Sequence, residues 1–387
     1  MSVQPFTIAV AQEVLDDLQR RLAHTRWTDE VAGAGWDYGT NLAYLKELAH
    51  YWQHGFDWRA QEAQLNRFAH FRAEIDGVGV HFIHERGVGP NPLPLMLLHG
   101  WPDSFYRFDK VIPMLTDPAR YGGDPADAFD LVVPSLAGFG FSDRPQQRGG
   151  GRDAELFPRL MTELLGYQRF GAQGGDGGSP IAQFMALAHP EAVVGIHLTD
   201  IGWHNPLSAD APNLSPAERE YLAQFEQWWA SHGAYATVQG EMPQTLAYGL
   251  NDSPVGLAAW MIQQFRAWSD CDGDVERRFT KDELLTNIMI YWATETINSS
   301  IRGYYEGMQA QWDESAQGEG AAQQNTVPAG LALFPKDHPP PRETAERSLN
   351  VQRWTEMPRG GHFAALEEPE LFVEDVRAFF RPLRETS

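Results

Sequence analysis

The sequence predicts an α/β fold with a mostly parallel central sheet covered by helices on both faces. Three observations predict it. Short apolar runs recur at intervals: LPLMLLHG (93–100), FDLVVPSL (129–136), RFGAQGG (169–175) and VVGIHLTD (193–200). Their unbroken apolar character suits strands buried on both faces. Helical stretches lie between several of them, the alternation that builds a parallel sheet.

Residues 1–75 read as a helical N-terminal extension. Val14, Leu15, Leu18 and Leu22 recur at helical spacing, as do Leu45, Leu48 and Trp52, with the turn-rich RWTDEVAGAGWDYG between them. HFRAEIDGVGVHFIHER then alternates on both sides of Asp76-Gly77, a hairpin signal. The first part of the α/β core is expected over 76–200. After Asp200 the strand pattern stops, and 201–325 reads as an inserted helical cap rich in aromatics, as in YLAQFEQWWASHGAY and LLTNIMIYWATETINSSIRGYYEGM. AQGEGAAQQNTVP (316–328) has linker composition. The second part of the core, 326–387, resumes with the strand-like GLALFP and VQRWTEMPRGG and closes with the helical EPELFVEDVRAFFRP.

The 387 residues are 43% apolar, with 13 Trp and 21 Phe, so a large core is within reach. Thirty basic against 52 acidic residues leave a net charge of −22, which argues against nucleic-acid backbones, anionic membrane surfaces and polyanionic substrates. Cys271 is the one cysteine, so no internal disulfide forms and a reducing compartment fits. The N-terminus has neither a basic start nor an apolar core, and no run of about 18 apolar residues occurs, so no signal peptide or membrane span is read. A cytoplasmic protein is expected, with a homo-oligomer kept as a candidate partner state.

GAQGGDGGSP (171–180) places one acid among glycines. Its G-x-D-x-G spacing, Gly174 to Gly178, matches the strand-turn-helix elbow of α/β hydrolases with Asp176 at the nucleophile position. SPIAQFMALAHP follows as the helix, whose N-terminal N–H groups favour an ionised carboxylate. The alternative is a glycine-rich loop in which the Asp caps a helix. A phosphate loop fits worse, because no Gly-Lys-Ser/Thr ending is present.

Other stretches support the elbow. LLHGWPDSF (97–105) follows a strand, where this fold draws one oxyanion-hole N–H, here from Trp101. The second donor is the N–H of Gly177. His99 reads as a structural brace, and the Trp101–Pro102 bond as a candidate cis bond. His362 in PRGGHFAALEEPELF comes last in order, where the base belongs. Asp337, past GLALFP, is the expected acid, with Asp200 as the alternative. The spaced acids of SDCDGDVE (269–276) lack the Gly and Glu positions of a calcium loop. No metal and no cofactor are assigned.

With these residues in place the chain resembles the α/β-hydrolase epoxide hydrolases of the microsomal and juvenile-hormone type. The likeness is carried by PFTIAVAQEVLDDLQRRLAHTRW, HGWPDSFYRF, PSLAGFGFSDRP, GGDGGSPIA, LNDSPVGLAAW, ERRFTKDELLTNI, FPKD and RGGHFAALEEPE. Mammalian members carry a membrane anchor; this chain starts at the extension, so a soluble bacterial homologue is expected. The resemblance implies a small-molecule epoxide as substrate and a vicinal diol as product. It also implies two cap tyrosines as proton donors to the ring oxygen. Matching HGAYATVQ and NSSIRGYYEG selects Tyr235 and Tyr304, with Tyr305 the alternative to the latter.

Relatives commonly carry Trp after the nucleophile, where this chain has Gly177; its absence predicts room for a bulkier epoxide. Haloalkane dehalogenases, the nearest enzymatic alternative, use that Trp to hold the departing halide. A catalytically silent ligand-binding scaffold is the alternative of a different class. The sequence also resembles actinobacterial homologues in natural-product pathways, which implies a role in antibiotic or other secondary-metabolite biosynthesis, with detoxification as the other setting.

Overall fold

The computed structural model describes residues 2–147, 152–201, 207, 209–211, 213–317 and 324–384. The first strand, β1 (Val3–Phe6), leads into α1 (Gln12–Ala23), α2 (Leu42–His54) and α3 (Trp58–Leu65). The hairpin strands β2 (His70–Ile75) and β3 (Val78–Glu85) follow. They turn at Asp76 and Gly77, both in the left-handed region with φ of 51° and 76°, the geometry that closes a two-residue hairpin.

The core continues through β4 (Leu93–Leu98), α4 (Ile112–Thr116), β5 (Phe129–Pro134), α5 (Asp153–Arg159), β6 (Phe170–Gly174), α6 (Gly178–Ala188) and β7 (Val193–Leu198). Among the described residues six helices then intervene: α7 (Pro216–His232), α8 (Ala234–Glu241), α9 (Pro243–Asp252), α10 (Pro254–Trp268), α11 (Lys281–Thr294) and α12 (Ile297–Gln317). The chain returns to the sheet with β8 (Pro328–Leu333), α13 (Arg342–Glu346), β9 (Asn350–Glu356), α14 (Ala364–Glu367) and α15 (Pro369–Phe380). The middle of the linker-like 316–328 stretch lies outside the described residues.

Among the described residues, nine strands form one sheet in the order β1-β2-β3-β5-β4-β6-β7-β8-β9. The pairs from β5 through β9 are parallel, and β1–β2, β2–β3 and β3–β5 are antiparallel. This is the expected α/β architecture, with one element unforeseen: β1 pairs along β2 and adds an edge strand from within the N-terminal segment. The sheet separates two apolar clusters. One joins Leu95, Leu97, Phe129, Leu131 and Val133 to the N-terminal and inserted helices. The other joins Met96, Leu98, Val132 and Ile196 to α5 and α6. Alternate residues of one strand thus feed opposite layers.

Local chemistry fixes where the inserted helices begin. Ser215 and Glu218 form a capping box at the start of α7, and Thr280 and Glu283 form one at α11. Glu218 is fully buried and also takes Arg347 Nε and Nη2 at 2.6 and 2.7 Å. The start of α7 is therefore fastened to the residue that follows α13. Among the described residues no helix is long and apolar enough to cross a membrane.

Candidate active site

Asp176 occupies the turn between β6 and α6 with φ of 53°. A non-glycine residue there is strained, and such strain is held where the surroundings enforce it. The flanking glycines permit the turn. A Cβ on Gly174 would run into the Gly178 carbonyl, and one on Gly178 into the Leu98 carbonyl.

The two carboxylate oxygens of Asp176 have different surroundings. Oδ1 accepts the Trp101 N–H at 2.9 Å and the Gly177 N–H at 2.6 Å. Oδ2 lies 3.1 Å from His362 Nε2. Burial pushes the carboxyl up, but the His362 ring and the two N–H groups pull it further the other way, to about 2. Asp176 is thus held ionised.

His362 is 3% exposed, in the loop between β9 and α14. Its Nδ1 is 2.9 Å from Asp337 Oδ1. Burial opposes the charged imidazole, yet Asp337 and Asp176 together carry it well above its usual range. Asp337 follows β8 and turns back through its N–H on the Phe334 carbonyl at 3.0 Å. Asp200, at the end of β7, is close by: one ligand atom each of Asp200, Asp337 and His362 lie within 4.8 Å of one another. These are donor types a cation could use. The imidazole Nδ1 is already hydrogen-bonded to Asp337 there.

Tyr235, at the start of α8, stacks on Trp101 with ring centroids 5.7 Å apart and planes 7° apart. Tyr304, on α12, meets Tyr235 edge-on at 5.9 Å and Trp101 at 6.2 Å. Burial raises both phenols well above the usual range, as does the nearby Asp176 charge. The two phenols also act on one another: Tyr304 pulls Tyr235 down, and Tyr235 pushes Tyr304 up. Helical phase decides which of the adjacent tyrosines arrives here. One residue turns the side chain by about 100°, and the ring packed on Trp101 and Tyr235 is that of Tyr304.

All seven residues singled out from the sequence, Asp176, His362, Asp337, Tyr235, Tyr304, Trp101 and Gly177, therefore converge. His99 is fully buried, accepting the Leu136 N–H at Nε2 (3.2 Å) and bonding the Gly100 carbonyl at Nδ1 (3.0 Å). It braces the loop, and burial keeps it neutral by lowering its pKa. The Trp101–Pro102 bond is cis. In the acidic 269–276 loop, Asp272 pairs with Arg277 at 2.7 Å and Asp270 with Arg278 at 3.0 Å.

A cavity of about 10 Å³ touches Asp176, His362, Asp337, Tyr235, Trp268 and Trp228. That is room for roughly one water. The space expected beside Gly177 does not appear in it as an open chamber, because cap rings close over the carboxylate: Trp268 lies 5.1 Å from the His362 ring and 4.8 Å from that of Tyr235. Trp268 was not legible as a site residue; neither were Asp103 and Arg107. The last two did carry a signal, since an Asp and an Arg four residues apart on a turn form a pair. Their buried link to His362 did not.

The fold and this constellation define an α/β hydrolase with a carboxylate at its elbow. The family described as epoxide hydrolase N terminus matches residues 3–108, and the alpha/beta hydrolase fold matches residues 94–231. A provisionally named epoxide hydrolase of Stigmatella aurantiaca is 42% identical, covering 99% of this chain and 86% of that one. Epoxide hydrolase 1 of Sus scrofa is 36% identical over 98% of this chain and 88% of its own. The structure of Aspergillus niger epoxide hydrolase matches with a TM-score of 0.85 at 30% identity, covering 99% of this chain and 97% of that one. The chain belongs to the epoxide hydrolase family.

Proposed function

We propose that the protein hydrolyses an epoxide to a vicinal diol through an ester on Asp176. The observation that carries this reading is the division of labour within one carboxylate: Oδ1 takes two N–H donors while Oδ2 is left to face the base. In the first step Oδ2 attacks an epoxide carbon from behind. The carbon–oxygen ring bond breaks, its electron pair stays on the ring oxygen, and that oxygen takes a proton from the Tyr235–Tyr304 pair. Phenols held above their usual range are neutral donors at physiological pH.

Esterification removes the Asp176 charge, so the His362 imidazolium sheds its proton and restores the tyrosine. His362 then takes a proton from water, and the hydroxide adds to the ester carbonyl. Charge develops on Oδ1, where the Trp101 and Gly177 N–H groups already point. Collapse breaks the bond from the carbonyl carbon to Oδ2, and His362 protonates the departing diol oxygen. The regenerated acid returns its proton to His362, with Asp337 holding the ring.

One turnover of excess enzyme on a styrene-type epoxide in heavy-oxygen water tests this. The first diol is expected to carry unlabelled oxygen from Asp176, with the label entering the enzyme. Label in that first diol overturns the ester. Halide release from haloalkanes without diol formation from epoxides would mark a dehalogenase, and binding without turnover a silent scaffold. The physiological setting follows from the substrate range: one stereochemically defined epoxide speaks for secondary-metabolite biosynthesis, broad acceptance for detoxification.

A further inference from the structure

We infer that Arg107 is a positioning residue that holds His362 in register with the Trp101 oxyanion donor, and so serves ester hydrolysis more than ring opening. The inference rests on the ester reading above. Arg107 lies on the short turn Phe105–Phe108 after the HGWP loop and is 1% exposed. Its guanidinium ties two loops together. Nη1 donates to Asp103 Oδ2, and Nη2 donates to the His362 carbonyl at 2.6 Å. Asp103 is 1% exposed, and its Oδ1 accepts the Gly100 N–H at 3.0 Å. The next N–H in the chain is that of Trp101, on Asp176 Oδ1.

A continuous strap thus runs from Trp101 through Gly100, Asp103 and Arg107 to His362. It passes directly under the elbow: a Cβ on Gly175 would lie 2.8 Å from Arg107 Nη2. The His362 N–H is held as well, on the Trp268 carbonyl at 3.0 Å. Both backbone polar groups of the base are therefore pinned, one to the cap and one to the oxyanion loop. A planar guanidinium can serve two acceptors in fixed directions at once, which an ammonium cannot reproduce.

The two chemical steps use this register unequally. Ring opening needs Asp176 Oδ2 and the phenols. Hydrolysis needs His362 Nε2 and both N–H donors aimed together at one carbonyl, and such alignment is lost with small displacements. Loosening the strap should therefore slow the second step selectively.

The test uses full-length Arg107→Lys and Arg107→Met proteins with a styrene-type epoxide. Because Arg107→Met strands a buried carboxylate, an Asp103→Asn/Arg107→Met protein, which removes both charges, separates folding from function; circular dichroism reports the fold. In folded variants kcat and KM are expected to fall together by about tenfold or more, with kcat/KM held within about threefold. Intact mass at steady state should show the substrate adduct. A fall in kcat/KM matching that in kcat overturns the inference, because ring opening then depends on Arg107 equally. An adduct in His362→Gln but in no Arg107 variant overturns it alone. No adduct in any of them overturns the ester reading and the inference with it.

Discussion

His362 Nε2 stands 3.1 Å from Asp176 Oδ2, while the Trp101 and Gly177 N–H groups both converge on Oδ1. In the proposed ester route His362 thus faces the oxygen that would bond to substrate, and the two N–H donors face the oxygen that would stay behind. His362→Gln removes the base without touching either N–H. It should form the ester and fail to release it, with steady-state turnover down by about a thousandfold, within the range of general-base contributions. Intact mass should show one substrate equivalent added. An unmodified protein after exposure to substrate would contradict the two-step scheme.

The same pair sets the pH dependence. Asp176 is ionised down to pH about 2, so its own titration puts no acid limb on kcat/KM above that pH. His362 is raised in the free enzyme by Asp337 and Asp176 against the opposing effect of burial. Esterification or an Asp176→Asn change removes the Asp176 contribution, so the imidazole pKa must fall. The kcat for hydrolysis then rises with pH through that lowered value, as the neutral base appears. Imidazole NMR titrations of the wild type and Asp176→Asn check the sign. An equal or higher His362 pKa in the variant would refute the coupling.

Tyr235 and Tyr304 meet edge-on and each shifts the other's phenol, so their losses should not add independently. Tyr235→Phe and Tyr304→Phe should each slow ester formation by about a hundredfold, read as single-turnover tryptophan fluorescence. The double variant should lose less than the product of the two. Tyr305→Phe should leave the rate near wild type. A Tyr305 effect as large as that of Tyr304 would place the wrong ring in the site.

How much of this was legible depends on how local each signal is. The elbow at 174–178 and the Asp76-Gly77 hairpin are written in a few adjacent residues, and each turn appears where its backbone chemistry demands. β1 left no such mark: Val3–Phe6 is a strand because β2 offers it an edge, which a four-residue run cannot announce. The Arg107–His362 contact spans 255 residues and ends on a backbone carbonyl, which no side-chain pattern encodes. Asp337 and Asp200 both suited the acid's place in chain order. Only distances separate them, with Asp337 on His362 Nδ1 and Asp200 beside the pair.

Glu367 gives a stability prediction behind the site. Its Oε1 accepts the Phe363 N–H at 2.9 Å and its Oε2 the Asp270 N–H at 2.7 Å. Burial pushes its carboxyl up to about 7 despite those two donors. A folded-state pKa above the ordinary 4.5 means the native state binds the proton more tightly than the unfolded chain. This contribution is full below the unfolded value and is lost as pH rises through about 7. Glu367→Gln stays neutral throughout. Its stability relative to wild type should therefore improve between about pH 5 and about pH 8 in urea denaturation. A difference that does not change with pH would show that Glu367 titrates normally.

Gly177 is not glycine for the sake of its backbone. Its φ of −55° and ψ of −26° are ordinary helical values, open to any L residue. A Cβ there would meet only the Gly100 Cα, at 3.6 Å, an ordinary contact. Its smallness is therefore free to act on the substrate. The adjacent cavity of about 10 Å³ admits a water but no epoxide, so substrate must displace the aromatic rings of the cap in any case. The open space around a Cβ at 177 is where room for a bulkier epoxide is expected once those rings move. Wild type should accept polycyclic aryl epoxides with kcat/KM within about tenfold of small terminal ones. Gly177→Ala should barely change that ratio. Gly177→Trp should lower kcat/KM for the bulky epoxides by about a hundredfold and spare the small ones. Exclusion of bulky epoxides by the wild type itself, or an equal loss for both classes in Gly177→Trp, would mean that the size limit is set elsewhere, by the Trp268 and Trp228 walls.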